Sequence, residues 1–136
     1  MSRLRTALAL PLLTVSLACA PALQSGAGEA VVVERLYFGR NVGDTLIVTD
    51  SAWAAFVTEI VTPRFPAGLT VWSATGQWRE PNGHVQREPS FVLELVLPTR
   101  TVNTDIAITA IIAEYKRRFR QEAVLRVRMP ARAGHE

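Results

Sequence analysis

The 136-residue sequence has only one cysteine and two histidines. A single cysteine excludes a framework of internal disulfides, and one cysteine with two histidines cannot complete a four-ligand zinc site. The eight prolines and eight glycines are scattered, so no low-complexity linker is present. Hydrophobic residues make up 49% of the chain and charged residues 20%, which excludes a disordered tail, a coiled coil and a collagen-like fibre. The length predicts one globular domain.

The sequence motifs of the common catalytic machineries are also missing. No serine lies in a G-x-S-x-G turn, no glycine-rich loop opens a predicted helix, and no two carboxylates are placed to flank one bond. From the sequence we therefore expect no metal and no cofactor, and we assign no catalytic residue.

Residues 1–22 have the parts of a cleaved secretory signal peptide. Arg3 and Arg5 form its positive start, an apolar stretch follows, and small residues offer a cleavage site after Ala22. The segment also resembles a bacterial lipobox, because Ala18 directly precedes Cys19, and cleavage there would leave a lipid on Cys19. We expect an exported protein of the periplasm or outer membrane, attached to a membrane only through a lipid at Cys19.

Removal of the leader would also change the charge. The formal net charge is +3, and the loss of Arg3 and Arg5 would lower it to +1. A domain so nearly neutral lacks the basic surface that nucleic acid requires, so no nucleic-acid partner is expected. Residues 23–30 are small and polar and predict a flexible tether, 31–130 a single domain, and 131–136 a tail.

Six segments after the tether predict an α+β fold. Thr49 can cap a first helix that ends at Thr62-Pro63, because proline cannot continue a helix. A second helix is predicted over 104–120, and four strands over 31–39, 69–80, 85–97 and 123–129, the last one stopped by Pro130. The order β-α-β-β-α-β predicts a ferredoxin-like fold, with a four-stranded antiparallel sheet and two helices on one face.

The dipeptide Asn82-Gly83 predicts a two-residue hairpin turn between the middle strands. In that register Trp78 lies opposite Arg87, and Trp72 lies opposite Leu93. The helix-side face would then contain Leu36, Phe38, Thr70, Trp72, Ala74, Trp78, Arg87, Phe91, Leu93, Leu95, Leu97, Leu125 and Val127.

The opposite, open face is then predicted to be mixed in character. Its members would be Arg35, Tyr37, Val71, Ser73, Thr75, Gln77, Val92, Glu94, Val96, Arg126 and Arg128. Ferredoxin-like sheets often cover this face with a second copy or a ligand, so we expect a covered face, with a homodimer as one form of it. The remaining alternative is a solvated face with incidental valines.

A cluster of polar and aromatic residues on the hairpin is the candidate ligand site. One interpretation is that the cluster binds a polar or anionic ligand. The other is that its side chains form a hydrogen-bonded ladder that stiffens a long hairpin. The candidate ligand-binding residues are Tyr37, Gln77, Trp78, Arg79, Arg87, Glu88 and Arg126.

Several short blocks resemble an uncharacterised bacterial family called domain of unknown function 3574. The similarity covers about residues 34–128. The blocks are LYFG at 36–39, TPRFP at 62–66, GLTV at 68–71, GQWR at 76–79, REPS at 87–90, YK at 115–116, RF at 118–119, QE at 121–122 and VLRV at 124–127. The resemblance implies a small secreted or lipid-anchored protein and implies no reaction. Ala123 departs from the serine that many members have there.

Two functions remain open from the sequence, beside a weaker third interpretation as a purely structural tethered domain. The first is a non-enzymatic envelope domain, secreted or lipid-anchored, that binds a small molecule or an envelope protein. The alternative is a small cofactor-free enzyme of the dimeric α+β barrel type, in which Tyr37, His84 and Arg79 would handle a proton on a small substrate.

Overall fold

A computed structural model describes residues 28–79, 81–99 and 101–134. Its strands are β1 (Glu29–Gly39), β2 (Asn41–Val42), β3 (Thr45–Leu46), β4 (Thr70–Arg79), β5 (Val85–Leu97) and β6 (Leu125–Ala133). Its helices are α1 (Asp50–Phe56), which continues as a π-helical turn (Val57–Val61), and α2 (Val102–Phe119). The signal peptide and Cys19 lie outside the described residues, so both stay predictions. In the described part of the chain, no helix is long and apolar enough to cross a membrane.

The large sheet has the strand order β4-β5-β1-β6, and each neighbouring pair is antiparallel. Together with α1 and α2 on one face, this order is the ferredoxin-like α+β arrangement, as the sequence predicts. The short β2 and β3 form a separate hairpin. This hairpin lies between β1 and α1 and turns at Gly43, whose φ of 57° a glycine adopts without strain.

Both helices begin at a threonine cap. Thr49 Oγ1 accepts a hydrogen bond from Ala52 N–H at 3.2 Å, and Thr101 Oγ1 accepts one from Thr104 N–H at 3.1 Å. The first cap and the end at Thr62 confirm the predicted limits of the first helix. The second helix begins at Val102, two residues earlier than predicted, because Thr101 supplies its cap.

The core lies between the helices and the inner face of the sheet and is rich in aromatic rings. The Trp53 ring stacks on Phe91 with centroids 4.7 Å apart, and Phe38 packs edge-on against Tyr115 at 4.5 Å. Apolar residues at helical spacing in the sequence predict one buried stripe on each helix: Trp53, Phe56, Val57, Ile60 and Val61 on the first, and Ile108, Ile111, Ile112, Tyr115 and Phe119 on the second. Every helical residue of the core belongs to these stripes, and Ile112, Val57 and Ile60 lie at its margin. The buried core consists of Leu36, Phe38, Val48, Trp53, Phe56, Val61, Phe91, Leu93, Leu95, Ile108, Ile111, Tyr115 and Phe119.

The predicted register of the β4–β5 hairpin is wrong by one residue. Trp78 pairs with Gln86 and Trp72 pairs with Val92, whereas Arg87 pairs with Gln77. The pairing closes at Arg79 and Val85, so Asn82-Gly83 lies within a longer connection and is not a two-residue turn. Asn82 Oδ1 instead accepts a hydrogen bond from His84 N–H at 2.8 Å, which is an Asx turn.

This shift turns every side chain of β4 to the opposite face, because side chains alternate along a strand. Val71, Ser73, Thr75 and Gln77 therefore lie on the helix side, while Trp72, Ala74 and Trp78 lie on the open side, the reverse of the prediction. The predicted faces of β1 and β5 are correct, since Leu36, Phe38, Leu93 and Leu95 are fully buried.

The predicted faces of β6 are also reversed. Arg126 and Arg128 lie on the helix side, and Leu125 and Val127 lie on the open side. The physical reason is Glu34, which is fully buried on the helix side and requires positive partners. Arg126 Nε lies 2.8 Å and Arg128 Nε 2.5 Å from the two Glu34 carboxylate oxygens, and both arginines also reach Asp105 Oδ1 at 2.7 Å.

The last strand also passes through the proline that was expected to end it. Pro130 pairs with Val32, and pairing continues to Ala133. Because β6 is an edge strand, a residue without an N–H is tolerated there with no loss of a bond in the ladder.

Candidate functional site

A cleft of about 600 Å³ opens at one end of the open face of the sheet. Three parts of the chain form it: the β2–β3 hairpin, the ends of β4 and β5, and the loop after α2. The described residues that line it are Gly39, Asn41, Val42, Gly43, Asp44, Trp78, His84, Gln86, Glu88, Arg120, Gln121, Glu122 and Ala123. A volume of this size accommodates a small organic molecule such as a nucleoside.

Glu88 is the carboxylate that the fold holds most firmly in this cleft. Its Oε1 accepts a hydrogen bond from Asn41 N–H at 2.9 Å, and the side chain is partly buried. A Cβ atom at Gly39 would lie 2.6 Å from Glu88 Oε1, so the carboxylate occupies space that only glycine leaves free. The bond to one carboxylate oxygen fixes the position of the other, which is what a group that contacts a substrate requires.

A residue of the buried core fixes the backbone of Gly39. The Tyr115 hydroxyl donates a hydrogen bond to Gly39 O at 2.8 Å. Burial raises the pKa of Tyr115, with a nearby Arg40 opposing and Glu88 reinforcing the shift, so this hydroxyl stays a donor at neutral pH. Arg40 lies over the Phe91 ring at 4.3 Å and donates to Val48 O at 2.8 Å. The floor of the cleft is therefore attached to the aromatic core.

Trp78 supplies an aromatic surface beside Glu88. Its side chain is 53% exposed, although it extends from a regular strand that pairs on its inner side with β5. An exposed indole can stack on a flat heterocycle or face a cation.

The remaining wall of the cleft is polar and is tied to neighbouring segments. Gln86 Nε2 donates to Asp44 Oδ1 at 3.2 Å, and Gln121 Nε2 donates to Asn41 O at 2.8 Å. Among the described residues, Asn41 Oδ1 is buried without a hydrogen-bond partner. Arg120 enters the wall from the left-handed end of α2, with a φ of 54°.

The structure brings only two of the seven candidate ligand-binding residues into the cleft, Trp78 and Glu88. Gln77 and Arg87 pair with each other and lie on the helix side of the hairpin, and Arg79 donates to Gly83 O at 3.0 Å outside the cleft. The predicted placement of Trp78 opposite Arg87 is therefore wrong, because Trp78 pairs with Gln86.

The other two candidates lie farther from the cleft. Tyr37 is in the middle of the open face, between Leu125 and Val92. Arg126 is on the helix side, in the ion-pair cluster around Glu34. The alternative function, a small cofactor-free enzyme, uses Tyr37, His84 and Arg79 to handle a proton. Of these three residues His84 lines the cleft, whereas Tyr37 and Arg79 do not.

Sequence reasoning missed the β2–β3 hairpin and the loop after α2 as parts of the site. Both are far from the hairpin in the chain, and no motif connects them. The one usable signal is Gly39, a glycine at the end of a strand, which marks a close approach of another group.

In the comparison with known families, the model of a protein family of unknown function, DUF3574, matches residues 33–134. No curated protein matches the chain. Among solved structures, a phage SAM lyase in its apo state is 18% identical with a TM-score of 0.58, covering 80% of this chain and 87% of that one. The same kind of enzyme, phage SAM lyase in complex with S-methyl-5'-thioadenosine, is 17% identical with a TM-score of 0.56, covering 82% and 97%.

These likenesses correct the first functional expectation. The sequence favoured a non-enzymatic envelope domain, but the solved chains reported above that share this fold are enzymes. The findings agree better with the alternative, a small enzyme of α+β fold. At this level of identity they establish the fold alone, so the activity has to be argued from the cleft.

Proposed function

The chain belongs to the DUF3574 family, and we propose that it is a small enzyme that cleaves a sulfonium nucleoside of the SAM type in the cleft beside Glu88. The observation that carries the proposal is the pairing of a fixed carboxylate with an exposed indole in one nucleoside-sized cleft. A sulfonium compound with a purine ring has the two features that such a pair binds, a positive charge and a flat aromatic surface.

The charge of the substrate explains the need for Glu88. A carboxylate near a sulfonium attracts the cation, and in a partly buried cleft this attraction is less weakened by water than at an open surface. Trp78 contributes a ring face, worth about 0.5–2 kcal/mol for a cation. The buried Asn41 Oδ1 is an acceptor in the wall, which suits a ligand that carries N–H or O–H donors.

The chemistry is the breaking of one carbon–sulfur bond. Sulfur keeps the electron pair and becomes a neutral thioether. The carbon that separates from sulfur gains a new bond in one of two ways. In one route a neighbouring C–H loses its proton to Glu88, and a carbon–carbon double bond forms. In the other route the carboxylate of the same fragment attacks that carbon and closes a ring. In the first route Glu88 is the general base, and in the second it holds and orients the sulfonium.

The proposal is tested by incubating the purified chain with SAM and measuring S-methyl-5'-thioadenosine by liquid chromatography and mass spectrometry. Glu88→Gln is expected to lower kcat/KM by about 100-fold, because it removes the charge and the base. Trp78→Ala is expected to raise KM by about 10-fold, because it removes the ring. The matched control is Arg87→Gln, the neighbouring residue on the opposite face, which should leave both constants unchanged.

The second product distinguishes the two routes. An unsaturated amino acid indicates proton loss to Glu88, and a lactone indicates closure of the fragment. S-methylmethionine, a sulfonium without a nucleoside, should be a poor substrate if the purine contributes to binding. Absence of S-methyl-5'-thioadenosine above the level in buffer, or full activity of Glu88→Gln, would reject the proposed function.

Export is a separate proposal that the leader sequence supports. We propose that residues 1–22 direct the chain across the inner membrane and that Cys19 carries a lipid. The mass of the protein isolated from its own cells tests this: an acylated chain that starts at Cys19 is expected. A chain that starts at Met1 would contradict export, and one that starts at Leu23 would contradict lipidation.

A further inference from the structure

We propose that Arg120 and Glu122 form a subsite of the cleft that binds the zwitterionic amino-acid group of the substrate. This subsite rests on the proposed function, since it concerns the part of the sulfonium nucleoside that this wall of the cleft would hold. Both residues line the cleft and belong to the loop that follows α2. An α-amino-acid group has a carboxylate that can pair with the guanidinium and an ammonium that can pair with the carboxylate.

The loop that contains these two residues is fixed to the floor of the cleft. Gln121 lies between them in the chain, and its Nε2 donates a hydrogen bond to Asn41 O at 2.8 Å. Asn41 N–H in turn donates to Glu88 Oε1 at 2.9 Å. Glu88 and the loop are thus bonded to the same residue. A ligand whose sulfonium lies at Glu88 can therefore reach the loop with the short carbon chain that joins its sulfur to its amino-acid group.

The two side chains have opposite charges and yet do not bond to each other. In the part of the chain that the structure describes, neither the Arg120 guanidinium nor the Glu122 carboxylate makes an ion pair or a hydrogen bond. By contrast, the last two arginines of α2, Arg117 and Arg118, are both paired with carboxylates. Two opposite charges that line one cleft without pairing are both available to a ligand that carries the matching charges.

The backbone of Arg120 is held in an unfavourable conformation. Its φ of 54° lies in the left-handed region, where glycine is most common at the end of a helix. An arginine in this position strains the backbone, and its side chain makes no bond to another described residue that would offset the strain. Strained residues of this kind cluster at functional sites, so the conformation favours a role in binding over a role in folding.

The charges of the cleft match those of SAM. The described residues that line it contribute three carboxylates and one guanidinium, those of Asp44, Glu88, Glu122 and Arg120. SAM carries a positive charge on its sulfonium and on its ammonium, and a negative charge on its carboxylate. Glu88 is then the partner of the sulfonium, Glu122 of the ammonium and Arg120 of the carboxylate. A site that pairs with a polar group discriminates against an analogue that lacks it, so the subsite selects an intact amino-acid group.

The subsite is tested by isothermal titration calorimetry of the purified chain with S-adenosylhomocysteine and with its decarboxylated and deaminated analogues. None of these probes carries a sulfonium, so binding is measured apart from cleavage. The wild-type chain is expected to bind S-adenosylhomocysteine about 10-fold more tightly than either analogue. Arg120→Gly should abolish only the preference over the decarboxylated analogue. Glu122→Gln should abolish only the preference over the deaminated analogue.

The conservative variant Arg120→Lys keeps a positive charge and should retain part of the preference for the carboxylate. The matched control is Lys116→Gly, because Lys116 is an exposed cation of α2 that does not line the cleft. It should leave both preferences unchanged. Thermal unfolding establishes that each variant is folded, and Arg120→Gly relieves backbone strain, so its loss of binding would not result from unfolding.

Failure of this subsite is distinguishable from failure of the proposed cleavage. A wild-type chain that does not bind S-adenosylhomocysteine, or binds it no better than the two analogues, overturns the subsite. So does a folded Arg120→Gly variant that keeps the preference for the carboxylate. If SAM is still cleaved in these cases, the proposed function stands without the subsite. Preferences that depend on Arg120 and Glu122 in a chain that does not cleave SAM would support the subsite and reject the proposed function.

Discussion

At the scale of single residues, the site depends on the absence of a side chain at Gly39. The carboxylate of Glu88 lies where a Cβ atom of residue 39 would be, and Asn41 N–H holds it there. The sequence shows a glycine and a glutamate 49 positions apart, and no pattern connects them. The contact exists only because β1 and β5 are neighbours in the sheet.

Gly39→Ala should therefore impair the site more than the fold. The new Cβ would push the Glu88 carboxylate away, which is feasible because the end of that side chain is flexible. We expect kcat/KM for SAM cleavage to fall by about 10-fold, with a stability loss of about 1 kcal/mol from the lost hydrogen bond. Gly76→Ala is the control on the same face, because its Cβ would meet only Glu88 O at an ordinary 3.9 Å. Equal effects of the two changes on activity would contradict the steric role of Gly39.

Arg120 has an unfavourable backbone conformation for its residue type. It occupies the position after the last residue of α2 with a φ of 54°, where glycine is most common. Arg120→Gly is expected to increase the free energy of unfolding by about 0.5–1 kcal/mol, measured by urea denaturation. A matched change at the exposed helical residue Lys116, Lys116→Gly, should instead lower it by about 1 kcal/mol. A destabilising Arg120→Gly would show that the arginine makes contacts worth more than the backbone strain.

At the scale of elements, the sequence predicts the helices better than the strand registers. Caps and apolar stripes are local signals, and both helices follow them closely. The register of β4 depends on how the connection to β5 folds, and the Asx turn at Asn82 replaces the expected two-residue turn. The alternation of apolar and polar side chains along β4 does not reveal the correct register. Small or weakly polar residues lie on both of its faces, Thr70 and Ala74 on the open face and Ser73 and Thr75 on the helix side.

A disulfide trap distinguishes the two registers. In a Cys19→Ser background, Gln77→Cys with Arg87→Cys joins direct partners, whose Cα atoms are about 4.5–5.5 Å apart, within disulfide range. Trp78→Cys with Arg87→Cys joins partners of the predicted register, which in the structure lie on opposite faces. Under mild oxidation we expect a disulfide, detected by intact mass, in the first pair and none in the second. The reverse result would contradict the observed register.

At the scale of the whole molecule, the Glu34 cluster connects β1, β6 and α2. Burial alone would raise the pKa of Glu34, but hydrogen bonds and charges of Arg126 and Arg128 outweigh burial and lower it below its ordinary value of 4.5. A lowered pKa in the folded state means that the unfolded chain takes up its proton first as pH falls. The contribution of Glu34 to the free energy of unfolding is thus complete above about pH 4.5, and it is lost as the pH falls through the pKa of the folded state.

Glu34→Gln tests this cluster. At neutral pH it should lower the free energy of unfolding by about 3 kcal/mol, because two arginines lose their buried partner. The free energy of unfolding of this variant should also change less as the pH is lowered than that of the wild type. Urea unfolding at a series of pH values measures this. Glu114→Gln is the surface control, since its exposed pair with Arg117 is screened by water and contributes little to stability. An unchanged pH dependence in Glu34→Gln would contradict the role given to Glu34.

The sequence by itself determined the order of the elements, the limits of α1, the helix stripes and the membership of the family, because these depend on neighbours in the chain. Tertiary structure alone decided which faces β4 and β6 present, since a buried Glu34 needs the arginines of β6 and the hairpin connection sets the register. It also decided which residues surround Glu88, because the three segments of the cleft meet only when the sheet and α2 have packed.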